Sequence, residues 1–124
     1  MNAIQERLCG HYGSLLKRHY SDDPHLAVGW GSHASQMQRF AVLHEAVSAI
    51  EAATVLDVGC GLGDYASHWT GLGYNAPLYS PGYTGIDLVP AMIERAKARH
   101  PKHEFLVCDL TDGMGPRRWC ETWK

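Results

Sequence analysis

The 124 residues are one domain's worth of chain, with 45% hydrophobic and 19% charged residues, the balance of an ordinary water-soluble globular protein. A formal net charge of −2 gives no electrostatic footprint for nucleic acid or an anionic membrane surface. No apolar run approaches the roughly 20 residues of a membrane span, and Met1–Arg7 lacks the basic-then-apolar layout of a signal peptide, so a cytoplasmic location is the default expectation.

Residues 2–19 predict a helix, with Ile4, Leu8, Leu15 and Leu16 at roughly helical intervals and Gly10 and Gly13 weakening it. Ser21-Asp22-Asp23-Pro24 breaks the chain, and a glycine-bearing polar loop runs through Val28-Gly29-Trp30-Gly31-Ser32. A second helix is expected from about Ser35, as its N-cap, to about Glu51, with Met37, Phe40, His44 and Val47 at helical spacing. Thr54–Val58 then reads as a buried strand and Asp64–Leu72 as a short helix, followed by a long loop rich in glycine and proline. Tyr83–Leu88 reads as a second strand that closes on Asp87. Pro90 suits the first turn of a helix that runs to about Arg99 and stops before Pro101. Glu104–Cys108 is a third strand, followed by Asp109. Strand, helix, strand, helix, strand implies an α/β fold with parallel pairing through right-handed crossovers. The tail from Asp112 to Lys124 carries no strand or helix period.

Cys9, Cys60, Cys108 and Cys120 are widely spaced with no C-x-x-C pair, and free thiols are expected over disulfides. His100 and His103 flank Pro101 near Cys108, but nothing matches a zinc-site spacing; surface histidines and no metal site are expected.

The chemistry concentrates at Gly59-Cys60-Gly61-Leu62-Gly63-Asp64, between the first strand and its helix. Glycine lacks a Cβ and tolerates positive φ, so a ligand can lie against the backbone there. The helix that follows turns its unbonded N–H groups toward the same place. In an open parallel sheet a ligand sits outside the carboxyl ends of the strands, and the three ends here are Gly59-Cys60-Gly61, Asp87 and Asp109. A carboxylate after the second strand can accept from both hydroxyls of a ribose. One after the third can accept from an exocyclic amine such as that of adenine. The glycines are spaced G-x-G-x-G, not G-x-G-x-x-G, and Asp87 lies 28 residues beyond Gly59 rather than the ~20 of a dinucleotide fingerprint. No Gly-Lys-Ser/Thr ending marks a P-loop. Asp57 and Asp64 stand beside the loop, which offers no lysine or arginine, so a cationic ligand suits it better than a pyrophosphate.

Three segments in order, Val55–Gly63, Tyr83–Asp87 with Pro90–Ala96, and Phe105–Leu110, resemble the first three motifs of the class I S-adenosylmethionine-dependent methyltransferases. The resemblance covers residues 54–110 and extends to Val28–Leu43, where some bacterial members carry a similar Trp-Gly-Ser, Gln and Arg-Phe stretch. It implies a Rossmann-like parallel sheet with flanking helices, S-adenosyl-L-methionine as cofactor, and methyl transfer as activity. Carried over residue by residue, it places Gly59, Gly61 and Gly63, with Cys60 between them, close against the methionine moiety and ribose. Asp57 would hold the loop and reach the ammonium through a hydrogen bond or water. Asp87 would take the ribose hydroxyls with Leu88 against the adenine, and Asp109 the adenine amine with Leu110 on the ring. Arg39 would partner the methionine carboxylate, and Trp30 would act as a lid. Competing readings stand beside these: a solvated helix residue for Arg39, a core anchor for Trp30, and a cap or turn residue for Asp109. The chain divides accordingly into a helical segment and lid over 1–53, a cofactor-binding core over 54–112 and an irregular tail over 113–124.

Methyl transfer from a sulfonium is an in-line displacement for which a protein mainly supplies position and desolvation. No catalytic base is identifiable in residues 1–110, and Ser80-Pro81-Gly82-Tyr83 is not the Asn/Asp-Pro-Pro-aromatic stretch of amino-methylating enzymes. The methyl acceptor is therefore open between small molecule and protein. Family members continue past the third strand with further strands and helices, whereas about fourteen residues follow Leu110 here. A sheet incomplete relative to the family is expected, from a chain truncated at its C-terminus or completed by homo-oligomer formation. The alternative to a transferase is a non-catalytic S-adenosylmethionine-binding module or a fragment of an enzyme.

Overall fold

The computed structural model describes residues 2–19, 26, 28–29, 31–48, 54–71 and 82–110. In chain order the elements are α1 (Ala3–His19), α2 (His33–Ser48), β1 (Thr54–Val58), α3 (Asp64–Gly71), β2 (Gly82–Asp87), α4 (Pro90–Arg99) and β3 (Glu104–Val107). The strands lie in the order β1-β2-β3 and both pairs are parallel, with Val55 opposite Tyr83 and Gly85 opposite Phe105. Parallel neighbours need a crossover, and α3 and α4 provide the two. The result is an α/β, Rossmann-like arrangement. The positions expected for Trp30, for the loop after residue 71 and for the 113–124 tail fall outside the described residues.

Side chains alternate along a strand, so the register puts Tyr83 and Phe105 on one face of the sheet. They pack there with Tyr65, Ala66 and Trp69 of α3 and Ile93 and Ala96 of α4, forming the main core. A smaller cluster of Leu16, Leu62, Val89 and Met92 ties α1 to the loop after β1 and to the start of α4. Through it α1 is held over the carboxyl ends of the strands.

Side-chain caps set two helix starts, of which that of α2 differs from expectation. The N-cap of α2 is Ser32, not Ser35: its hydroxyl accepts the Ser35 N–H at 3.1 Å, and its carbonyl opens the helical ladder by accepting the Gln36 N–H at 3.2 Å. The buried face of α2 is correspondingly set by Gln36, with Phe40 packed against the core. For α1, the Asn2 Oδ1 accepts the Gln5 N–H at 2.9 Å and Gln5 Oε1 accepts the Asn2 N–H at 2.6 Å, a reciprocal capping box. The inward stripe of α1 is also rotated by one position. Leu16 is buried with Cys9 and Tyr12 beside it, whereas Ile4 is 71% exposed. Positions 5, 9, 12 and 16 form the stripe, and the polar residue among them, Gln5, has its partner in Asp109.

Helix α4 starts with Pro90 in its first turn and ends at Arg99, before Pro101, whose ring disfavours helical backbone at His100 (φ −132°, ψ 70°). No helix among the described residues is long and apolar enough to cross a membrane.

Candidate functional site

At the end of β1 the chain turns sharply: the N–H groups of Gly59 and Cys60 both donate to the Ile86 carbonyl, at 2.8 and 2.9 Å. Gly59, Gly61 and Gly63 have φ of 74°, 55° and 77°, the left-handed region that L side chains rarely adopt. Beyond that shared backbone, the three glycines answer different needs. A Cβ on Gly63 would stand 3.0 Å from the Phe105 ring and 2.8 Å from His100, and one on Gly61 would reach Val28 at 2.8 Å. These two are glycines because protein lies against them. Around Gly59 none of the described residues comes within 4 Å of where a Cβ would stand, so this is where something other than these side chains can approach the backbone.

The strand-end acids converge as expected. The Asp87 carboxylate accepts the Gly61 N–H on Oδ2 and the Val89 N–H on Oδ1, each at 2.9 Å, and thereby ties the end of β2 to the glycine loop and to α4. Across the crevice, Asp109 Oδ2 accepts from the Gln5 side-chain amide of α1. Between them lies a cavity of about 310 Å³ lined by Gly59, Gly61, Asp87, Leu88, Asp109 and Leu110, with Leu8 and Tyr12 of α1 above. Asp57 and Cys60 line a second cavity of about 160 Å³, together with Gln36, Phe40 and Asp64. Val28, Gly59 and Gly61 line both, so the two cavities lie on either side of one loop. Gly63 lines neither. Arg39 is exposed on α2 and lines neither cavity. Trp30 lies outside the described residues.

The acids differ in electrostatic standing. Asp64 is neutralised by Arg99, whose Nη1 donates to Oδ1 at 3.0 Å and to the Leu62 carbonyl at 2.9 Å, while the Gln36 amide donates to Oδ2 at 3.1 Å. Among the described residues no cation pairs with Asp57. Burial pushes its carboxyl above the ordinary value; the Tyr83 hydroxyl, donating at 2.5 Å, pulls the other way, and Asp87 and Asp64 push it further up. Tyr83 is itself held well above the usual phenol range by burial and then by Asp57, so it stays a donor. The buried Cys60 thiol is raised by the same two influences and is inert as a nucleophile.

A raised carboxyl makes a definite prediction. Because the folded state holds the Asp57 proton more tightly than the unfolded chain, its contribution is favourable below the unfolded value of 3.8 and is lost as pH rises through the higher folded value. At neutral pH the charge destabilises the fold. Asp57→Asn is therefore expected to raise the urea midpoint at pH 7, with the gain shrinking to nothing as pH falls below about 4. Unchanged stability at pH 7 would remove the claim.

His100 and His103 are both partly buried rather than fully exposed. His100 is half-buried against Phe105 and within 3.2 Å of the Ser67 hydroxyl, and burial, then Arg99 and His103, lower its pKa. The residues that sequence reasoning missed are Gln5, Leu8 and Tyr12 of α1, Val28, and the Tyr83 partner of Asp57. The spacing Asn2-x-x-Gln5 is a capping-box pattern that would have fixed where α1 begins. No local signal announces that α1 lies over the crevice, since that depends on Leu16 meeting Leu62, Val89 and Met92.

Residues 55–118, just over half of the chain, match the family described as Methyltransferase domain. The chain is 30% identical over 93 residues to the malonyl-[acyl-carrier protein] O-methyltransferase of Salmonella typhimurium, an overlap of 68% of this chain and 34% of that protein. It thus spans about a third of the length of that curated relative. It is also similar to a solved structure described under the conversion of a disulfide bond into a thioacetal group during echinomycin biosynthesis, with 32% identity, a TM-score of 0.44, and coverage of 57% of this chain and 28% of that one. The match across the glycine loop and both strand-end acids assigns the family: this chain belongs to the methyltransferase-domain family.

Proposed function

We propose that the chain binds S-adenosyl-L-methionine and serves methyl transfer to an acceptor. The observation that carries the reading is the single crevice onto which the open backbone at Gly59, the Asp87 carboxylate and the Asp109 carboxylate all face. The family membership supports the same reading. Asp87 would accept from the ribose hydroxyls, Asp109 from the adenine amine, and Leu88, Leu110 and Leu8 would shield the base from water. Gly59 and Gly61 give the approach to the smaller cavity, where Asp57 supplies the one carboxylate on the loop that no protein cation neutralises among the described residues. A positively charged amino-acid end fits there. When bound, the cofactor supplies an electrophilic methyl group on a sulfonium; the residues here contribute binding, orientation and exclusion of water.

Isothermal titration of the purified chain with S-adenosylmethionine and S-adenosylhomocysteine tests the reading, with NAD and ATP as comparison ligands. Saturable one-to-one binding of the two sulfur nucleosides and none of the others is expected. Absence of heat from a folded sample would overturn it.

A further inference from the structure

We propose that Tyr83 is a positioning residue for the amino-acid end of the ligand. Its hydroxyl holds one oxygen of the Asp57 carboxylate, and the other accepts an ammonium group in the smaller cavity. The inference rests on the S-adenosylmethionine reading of the site and deepens it. It starts from the register of the sheet. Val55 lies opposite Tyr83 and Asp57 opposite Gly85, so all four positions share one face. Gly85 offers Asp57 no side chain across the strand pair. The diagonal neighbour does: the Tyr83 hydroxyl donates to Asp57 Oδ2 at 2.5 Å.

Tyr83 is buried in a core with Phe105, Ile93, Ala96 and Trp69, where the ring alone would serve packing. A buried hydroxyl needs a partner, and Asp57 takes it. The ring stands edge-on to Phe105 at 5.8 Å and to His103 at 5.2 Å, which fixes where the hydroxyl sits. Asp57 in turn lines the smaller cavity, as does Asp64. Asp64 is already engaged by Arg99 and by the Gln36 amide. Among the described residues, Tyr83 is the one hydrogen-bond donor to the Asp57 carboxylate. An ionised carboxylate has about four acceptor positions, so one phenol leaves room for an ammonium.

The hydroxyl also governs the charge that the ammonium meets. Asp57 is faced by Tyr83 of β2, by Asp87 at the end of that strand, by Asp64 at the start of α3 and by the Cys60 thiol of the loop. The α2 residues that line the cavity, Gln36, Phe40 and Leu43, carry no charge. Burial and the two acids favour the neutral carboxyl, and the Tyr83 hydrogen bond opposes them. Without the hydroxyl the carboxyl keeps its proton to higher pH, and a protonated carboxyl attracts an ammonium far less.

Calorimetric titrations over a pH series test this on the full chain, with S-adenosylhomocysteine and its desamino analogue, which keeps the carboxylate and lacks the ammonium. At pH 7 wild type is expected to prefer the amino ligand by at least about tenfold. Tyr83→Phe keeps the ring and is expected to narrow that preference to about threefold or less, by weakening the amino ligand alone. The wild-type preference falls as pH is lowered, and in Tyr83→Phe the fall sets in at higher pH. Equal weakening of both ligands, or an unshifted pH profile, would show that Tyr83 serves packing only and overturn the proposal. In the Asp57→Asn background, where no buried charge depends on the hydroxyl, Tyr83→Phe is expected to change affinity for the amino ligand by less than about twofold. A loss of about tenfold there would show that Tyr83 acts without Asp57, and would also overturn it. Wild type that binds both ligands alike removes the role of Asp57 and Tyr83 while leaving the nucleoside reading standing; wild type that binds neither removes both.

Discussion

Gly85→Val is expected to leave little folded protein, and Gly85→Ala to lower stability by about 2 kcal/mol. Gly85 sits in the middle of the central strand, opposite Phe105. A Cβ there would stand 2.7 Å from Phe105 Cδ1 and 2.9 Å from both Phe105 Cε1 and Cys60 Sγ. The ring has no room to retreat. It is 1% exposed, edge-on to Tyr83 at 5.8 Å and tilted against His100 at 6.0 Å, and it already fills the space that Gly63 leaves. Overpacking of this kind costs roughly 1–3 kcal/mol for one added methyl and more for a branched side chain, against a total of roughly 5–15 kcal/mol for a domain. The cause can be checked separately from the cost. Phe105→Leu removes the part of the ring that Gly85 was making way for, so the double variant Gly85→Ala/Phe105→Leu should be more stable than the sum of the two single losses. Urea midpoints of the three variants decide it. Strict additivity would mean that the clash lies elsewhere.

That contact shows why some of the structure was legible in the sequence and some was not. Strand, loop, helix and strand could be placed because each is a local pattern: the apolar run Val55–Val58, glycines at alternate positions, Pro90 opening a helix and Pro101 closing it. The strand-end acids Asp87 and Asp109 followed from that order, since parallel strands must end on one side. The alternate glycines predict a single cradle, but among the described residues nothing lies against Gly59, whereas Gly61 and Gly63 are held by Val28, His100 and Phe105. Such neighbours come from distant parts of the chain and leave no local trace. The same holds for Gln36, whose amide is buried because Asp64 is there to receive it, and for Ser32, which displaces Ser35 as the cap of α2. Ile4 and Leu8 look equivalent by periodicity. Only the docking of α1 over the crevice decides that Leu8 lines it and Ile4 meets water.

Asp87→Ala is expected to weaken S-adenosylhomocysteine binding by 100-fold or more and to lower stability by about 2–4 kcal/mol at the same time. The two effects come from one carboxylate. In the protein alone, its oxygens accept the Gly61 N–H and the Val89 N–H at 2.9 Å each. Val89 is the N-cap of α4 and makes no side-chain hydrogen bond of its own; Asp87 holds its backbone N–H from two residues upstream. Alanine leaves both N–H groups without their acceptor. An ionised carboxylate has about four acceptor positions, so two backbone donors still leave it able to take two ribose hydroxyls. The group that sets the shape of the glycine loop is then also the group that holds the ligand, and binding should tighten the loop rather than displace its hydrogen bonds. Asp87→Asn separates the roles: its single amide oxygen can serve one of the two N–H groups, and its NH₂ cannot accept from a hydroxyl. Its stability should fall between wild type and alanine, while its affinity should drop nearly as far as that of alanine. Calorimetric titration and urea unfolding on the same preparations measure both quantities. Affinity that follows stability in step across the three proteins would assign Asp87 to the fold alone, and ribose recognition would have to pass to another residue of the crevice.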